Sequence, residues 1–163
     1  MRTARTRRLV FASLLVFSSP LVAGSARAQG HGSLTTQDYI DIQQLYARYN
    51  VAIDAADAEG YANTFTSDGV FNTFNGRDAL LGFARNYTGT SRRHWNTNLV
   101  ITPTPEGAKG SVYLFLLDVS VRPPAISTAI QYDDALVKTA QGWRFKKRTT
   151  KVDGPAPAAP AAR

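Results

Sequence analysis

The residue pattern predicts an α+β fold, with N-terminal helices followed by a curved antiparallel sheet that wraps around them as a cone with one open mouth. Three observations carry this. Apolar residues recur at helical spacing through the first third of the folded region, the period changes near Ser67, and long strand-like stretches separated by turn signals fill the region after His94. Helices first and then an antiparallel meander call for a layer of helices on one face of a sheet. The open mouth of such a cone is a natural small-molecule pocket.

The first helix starts near Thr35 or Thr36, where Thr35 and Asp38 approximate a capping box. Ile42, Leu45, Tyr46, Tyr49 and Ile53 then recur at three- and four-residue spacing and define its apolar face, with Asp54 one residue beyond. Asp57 can cap a short second helix through Tyr61 and Phe65. Asp68-Gly69 signals a turn and Val70–Phe74 a strand, which Asn75-Gly76 ends. Arg77–Tyr87 reads as a third helix with Leu80, Leu81 and Phe83 inward, and Thr88–Arg93 as a polar loop.

Four long strands follow, at about His94–Thr102, Ala108–Val121, Ile126–Thr139 and Trp143–Val152. Glu106-Gly107, Pro123-Pro124 and Gln141-Gly142 supply the connections. In the last strand, simple alternation puts Arg144, Lys146 and Arg148 on one face and Phe145 on the other, so the basic row is expected on the solvated outer face.

The formal charge of the 163 residues is +7, but five arginines (Arg2, Arg5, Arg7, Arg8 and Arg27) fall within residues 1–28, which hold no acid. That segment reads as a secretory signal: basic Met1–Arg8, apolar Leu9–Phe17, then Ala26-Arg27-Ala28 as a cleavage site before Gln29. Arg7-Arg8 leave a twin-arginine route open. Removing the segment lowers the formal charge to +2, so a polyanionic partner such as nucleic acid is not expected. The predicted organisation is a signal peptide over 1–28, a flexible lead-in over 29–33, one domain over 34–152 and a disordered Pro/Ala-rich tail over 153–163. The location expected is periplasmic or secreted, with no stable membrane anchor after cleavage.

With no cysteine and two histidines, thiol nucleophiles and disulfides are excluded and a His-rich metal site is not expected. His94 is the one histidine of the expected folded region. Its near-neutral titration suits proton transfer. Asp54 closes an apolar helix face and would point toward the sheet, where the pair could act as acid and base. The plainer roles are a helix-end carboxylate bonding backbone donors and a half-buried imidazole bonded to backbone. Asn98, four residues beyond His94, shares its face of the strand and could meet a substrate carbonyl; its plainer role is a sheet or turn hydrogen bond. Phe71, Tyr113 and Tyr132 are candidates for apolar pocket lining.

Several stretches resemble one family. These are Tyr39–Tyr49 leading into Ile53-Asp54-Ala55-Ala56-Asp57, Phe65–Phe71, His94-Trp95-Asn96-Thr97-Asn98, Tyr132–Val137 and Gly142-Trp143-Arg144-Phe145. Together they are similar to the SnoaL-like branch of the nuclear-transport-factor-2-like superfamily over about residues 34–150, and within it to scytalone-dehydratase-like proteins. The resemblance implies the cone fold, a pocket Asp and His at Asp54 and His94, and dimerisation through the outer sheet face. It places a second pocket histidine of that family near Asp118, where this chain has no histidine, so Asp118 stands as a candidate substrate contact instead. The implied function is cofactor-free acid–base chemistry on a small, mostly apolar molecule (dehydration, isomerisation or a related lyase step). The alternative is a non-catalytic binding or assembly domain on the same scaffold.

Overall fold

The computed structural model describes residues 33–154. The expected signal segment, the lead-in up to residue 32 and the tail from residue 155 lie outside the described residues.

Helix α1 spans Thr36–Asp54 and begins with the expected capping box: the Thr35 hydroxyl accepts from the Asp38 amide, and Asp38 accepts from the Thr35 amide. Asp38 does more than cap. Its other carboxylate oxygen accepts from Lys138 Nζ at 2.7 Å and Trp143 Nε1 at 2.9 Å, pinning the helix start to the hairpin that ends the sheet. Burial opposes the charge on Asp38, but the bonds from Lys138, Thr35 and Trp143 outweigh it and hold the carboxyl well below the usual carboxylate range. The predicted apolar face of α1 is the buried one: Ile42, Leu45, Tyr46, Tyr49 and Ile53 all lose their solvent contact. Asp57 caps α2 (Ala58–Ala62) by accepting the Gly60 amide at 2.9 Å. Helix α3 runs over Arg77–Arg85 behind Gly76, whose φ of +81° suits a residue without Cβ.

One six-stranded sheet packs against these helices. Its strands are β1 (Phe65–Phe71), β2 (Phe74–Asn75), β3 (Arg92–Thr104), β4 (Gly107–Asp118), β5 (Ala125–Thr139) and β6 (Gly142–Val152), in the order β2-β1-β6-β5-β4-β3. The sheet is curved, unclosed and mostly antiparallel, with β1 running parallel to β6. The predicted turn at Asp68-Gly69 is instead part of β1, whose pairing with β6 shifts between Phe65 and Val70. Asp68-Gly69 lies in that irregularity, where residues 66–69 of β1 face the single residue Lys146, so the local signal appears as a break in the ladder rather than as a chain reversal.

A departure from simple alternation with consequences for the core lies in β6. Ala135 pairs with Lys147 but Leu136 pairs with Phe145, so Lys146 is an extra residue, a β-bulge. The bulge resets the phase, and Arg148 turns inward rather than outward; its side chain is 0% exposed. Inside, Arg148 Nε and Nη2 reach the two carboxylate oxygens of Asp134 at 2.8 and 2.7 Å. The rings of Tyr46, Tyr49, Tyr132 and Phe145 surround the guanidinium, with centroids 4.0–4.8 Å from its carbon. The Tyr46 hydroxyl donates to the same carboxylate. Gly110, opposite Asp134 in the ladder, leaves room for that hydroxyl, which any Cβ at this position would strike. Burial works against the charge on Arg148, yet Asp134 outweighs it and raises the guanidinium pKa, so the cation is permanent.

Candidate active site

Asp54 ends α1 and His94 lies near the start of β3, and the fold brings them together. Asp54 Oδ1 lies 2.6 Å from His94 Nδ1, while Asp54 Oδ2 accepts the His94 backbone N–H at 3.1 Å. One carboxylate thus grips both the ring and the main chain of the same histidine, removing the freedom of the ring to swing away. Their side chains are 7% exposed for His94 and 14% for Asp54. The carboxylate makes Nδ1 the protonated nitrogen, so the lone pair belongs to Nε2. The same helix supplies a third contact: Asn50, one turn before Asp54, donates from Nδ2 to the His94 carbonyl at 3.2 Å.

Around this pair lie buried polar atoms with no protein partner among the described residues. Both amide atoms of Asn96, Oδ1 of Asn50 and the hydroxyl of Tyr87 are of this kind. Tyr87 sits just past α3 and its ring centroid is 6.1 Å from that of His94. Burial raises the Tyr87 pKa, Arg92 opposes this and Asp54 adds to it, so the hydroxyl remains a donor at neutral pH. Burying an unpartnered polar group costs about 1–3 kcal/mol. Several gathered around one imidazole therefore mark a place built for something other than packing. The register sets Asn96 beside Leu114 and Ile130, and His94 beside Leu116, giving the polar groups an apolar surround.

The other expected site residues divide. Phe71 and Tyr132 do face the interior, Phe71 against Tyr61 and Phe83 and Tyr132 beneath the Arg148 guanidinium. Asn98 does not share the His94 face. The ladder passes from Thr97–Tyr113 to Val100–Ser111, so β3 carries one extra residue, and Asn98 sits there exposed with φ +57°. Asn96, two residues from His94 and before the bulge, takes the inward position that Asn98 was expected to fill. Tyr113 is 41% exposed, on the outer face of β4 between inward Val112 and Leu114, and cannot line the interior. Asp118 is turned to the strand end, where its Oδ1 accepts from the Ser120 amide and hydroxyl; these bonds lower its pKa. Alternation from His94 finds Asn96, and a one-turn step back from Asp54 finds Asn50. No local signal singles out Tyr87, because its neighbour is set by the return of β3.

A groove of about 700 Å³ lies elsewhere, between α1, α2 and the β5–β6 turn. A groove of about 460 Å³ runs along α3 and is lined by Phe74, Phe83 and Tyr87 among others, so Tyr87 stands between that groove and His94. Among the described residues, no three His, Cys, Asp or Glu side chains gather where they could hold a metal ion. No described helix is long and apolar enough to cross a membrane.

The family profile described as "SnoaL-like domain" matches residues 35–149, most of the chain and both members of the Asp54–His94 pair. The chain belongs to the SnoaL-like family. Among solved structures, this SnoaL-like chain is similar to Rv3472, a protein of unknown function from Mycobacterium tuberculosis. The two are 30% identical, with a TM-score of 0.65 and 72% of each chain covered. It is also similar to a Catenulispora acidiphila structure in complex with S-DNPA. That match has 28% identity and a TM-score of 0.65, covering 73% of this chain and 96% of the other. An NTF2-like protein with a cystatin-like fold from Novosphingobium aromaticivorans shares the fold at 21% identity. Its TM-score is 0.67, with 74% and 85% covered. No curated protein matches the chain.

Proposed function

We propose that this SnoaL-like protein binds a small, mostly apolar organic molecule beside His94 and moves a proton on it without a cofactor, in a dehydration, isomerisation or related lyase step. The observation that carries this reading is the two-point grip of Asp54 on His94, which commits Nδ1–H to the carboxylate and frees Nε2 as a base. In a dehydration, Nε2 takes the proton from the carbon next to a carbonyl. The electron pair then forms the new C=C bond as hydroxide leaves. The imidazolium returns a proton to that hydroxide, and water departs. Asp54 stabilises the imidazolium while it lasts. Tyr87 and the Asn96 amide supply a donor and an adaptable donor–acceptor pair for substrate oxygens. The Catenulispora acidiphila relative, solved in complex with S-DNPA, supports small-molecule binding by this kind of chain.

The test is turnover of small cyclic hydroxy-ketones, followed by mass spectrometry. Asp54→Asn and His94→Gln are expected to abolish it while largely sparing affinity. Turnover that survives both substitutions would sink the catalytic reading.

A specific observation favours a second reading, non-catalytic binding or assembly: the rings of Tyr49, Tyr61, Phe65 and Phe145 fill much of the interior, with centroids 5.0–6.0 Å apart. Under it, ligands bind with no turnover at all. The protein is further proposed to be exported through residues 1–28; mature chain recovered outside the cytoplasm and beginning at Gln29 would establish this. It is also proposed to pair through the outer sheet face, where Trp95, Val100, Tyr113 and Ile126 lie exposed. Trp95→Asp then converts a dimer to a monomer in sedimentation; a wild-type monomer contradicts the proposal.

A further inference from the structure

The 700 Å³ groove between α1, α2 and the β5–β6 turn shares no residue with the surroundings of His94. Its walls carry Arg48 of α1 and Arg144 of β6, with Gln44, Asn63 and Gln141 as neutral polar neighbours. Ala47 and Val51 of α1 add an apolar strip, and Val51 is 68% exposed there. Among the described residues neither arginine forms an ion pair, whereas Arg77, Arg85 and Arg148 each have one. Arg144 is held in place by its own bond, Nη1 to the Trp143 carbonyl at 2.8 Å. Partial burial, and then the charge of Arg48, lower its pKa, the mark of two cations brought near one another.

One carboxylate lines the groove, Asp57, and its Oδ1 is already engaged by the Gly60 amide as the α2 cap. Asn63 Oδ1 accepts from Arg77 Nη1 at 2.8 Å, and its NH2 has no protein acceptor among the described residues. The groove therefore offers donors and positive charge beside a strip of hydrocarbon.

We propose that this groove is a binding site for a small organic oxyanion, a carboxylate or phosphate monoester carried on an apolar body, held between Arg48 and Arg144. A guanidinium presents paired N–H groups that match two oxygens of such an anion, and a second cation nearby favours the dianion further. The apolar body lies along Ala47 and Val51. Binding there relieves the repulsion between the two arginines. Because the groove and the Asp54–His94 pair have no lining residue in common, either assignment can fail without the other.

The experiment is a chemical-shift titration of the full chain with hexanoate, acetate and inorganic phosphate, read at the backbone amides of Gly60, Asn63 and Gln141. Saturable shifts are expected with hexanoate and with phosphate, and hexanoate is expected to bind more tightly than acetate because of its hydrocarbon. Arg48→Gln and Arg144→Gln should each weaken binding about tenfold. Asp57→Asn should strengthen it severalfold, since Asn still caps α2 while the competing negative charge is gone. A merely structural Arg48 and Arg144 would leave the Asp57→Asn result at the wild-type value. Raising NaCl from low to high concentration should weaken wild-type binding, and that series decides the question by itself should a variant misfold. Shifts that do not saturate, that persist in both glutamine variants or that ignore salt overturn the proposal.

Discussion

Asp134 is a buried carboxylate and Asp54 a half-buried one, each meeting a nitrogen side chain, and they have opposite fates. Around Asp134 the core is closed: Arg148 contributes two donors, Tyr46 a third, and four aromatic rings enclose the cation. Around Asp54 the partner is a histidine bound through Nδ1, and among the described residues the neighbouring polar atoms of Asn96, Asn50 and Tyr87 lack protein partners. A guanidinium cannot release its proton in a protein, so the first pair can only hold the fold together. An imidazole can, so the second can do chemistry. Each site leaves buried polar atoms without a partner among the described residues, Arg148 Nη1 at the first and those of Asn96, Asn50 and Tyr87 at the second, so what separates the two pairs is whether the nitrogen partner can give up a proton.

The comparison breaks most readily at Arg148. Arg148→Met leaves Asp134 in the core without its cation, and a loss of about 3–5 kcal/mol is expected in urea unfolding. Adding Asp134→Leu should recover most of it, because the uncompensated charge is then gone as well. A loss under about 1 kcal/mol in the single variant would mean that water reaches the pair, and the contrast with Asp54 would disappear.

Asp54→Asn tests the other side. Its main effect is expected on chemistry, a fall of about 100-fold or more in turnover, with only a modest loss of stability. The His94 ring should also lose its preference for a protonated Nδ1, visible in its nitrogen chemical shifts. An unchanged tautomer would show that the carboxylate does not set the ring.

Asp38 lies between these two cases, a buried carboxylate saturated by bonds but close to the surface. Asp38→Asn should cost about 1–3 kcal/mol at neutral pH, from the weakened cap and the bonds to Lys138 and Trp143. Because the folded carboxyl titrates below its unfolded value of about 4, its stabilisation is present above that pH and is lost as pH falls through the folded value. The thermal midpoints of wild type and variant should therefore converge in acid. A constant gap would assign the effect to packing.

The smallest effect has the opposite sign. Asn96→Leu removes two unpartnered buried amide atoms, so stability should hold or rise by up to about 1 kcal/mol, while ligand affinity falls. A loss beyond about 2 kcal/mol would show that the Asn96 amide stabilises the fold and is not held for a ligand.

Local signals mark where α1 and α2 begin, although α2 ends at Ala62 and Phe65, expected within it, opens β1. The Thr35–Asp38 capping box, the five-residue apolar face of α1 and the Asp57 cap each depend on residues within a turn or two of one another, and each appears in place. The long hairpin strands were legible for the same reason, their ends marked by Gly- and Pro-containing turns. Two single-residue bulges defeated alternation. The one at Asn98 turned an expected pocket residue outward, and the one at Lys146 drew an expected surface arginine into the core. Tyr113 and Asp118 were misplaced because strand face and strand end depend on register with partners tens of residues away.

By itself, then, the sequence determined the element order, the apolar face of α1 and the chemical scarcity that left Asp54 and His94 as a candidate pair, since composition and short-range periodicity are written along the chain. Only the tertiary structure decided that Asp54 grips His94 at two points, that Arg148 is sealed with Asp134, and that Arg48 faces the same groove as Arg144. Those outcomes turn on which strands pair and where a ladder gains one extra residue. A one-residue slip sends every later side chain to the other face of the sheet, and no neighbour in sequence records it.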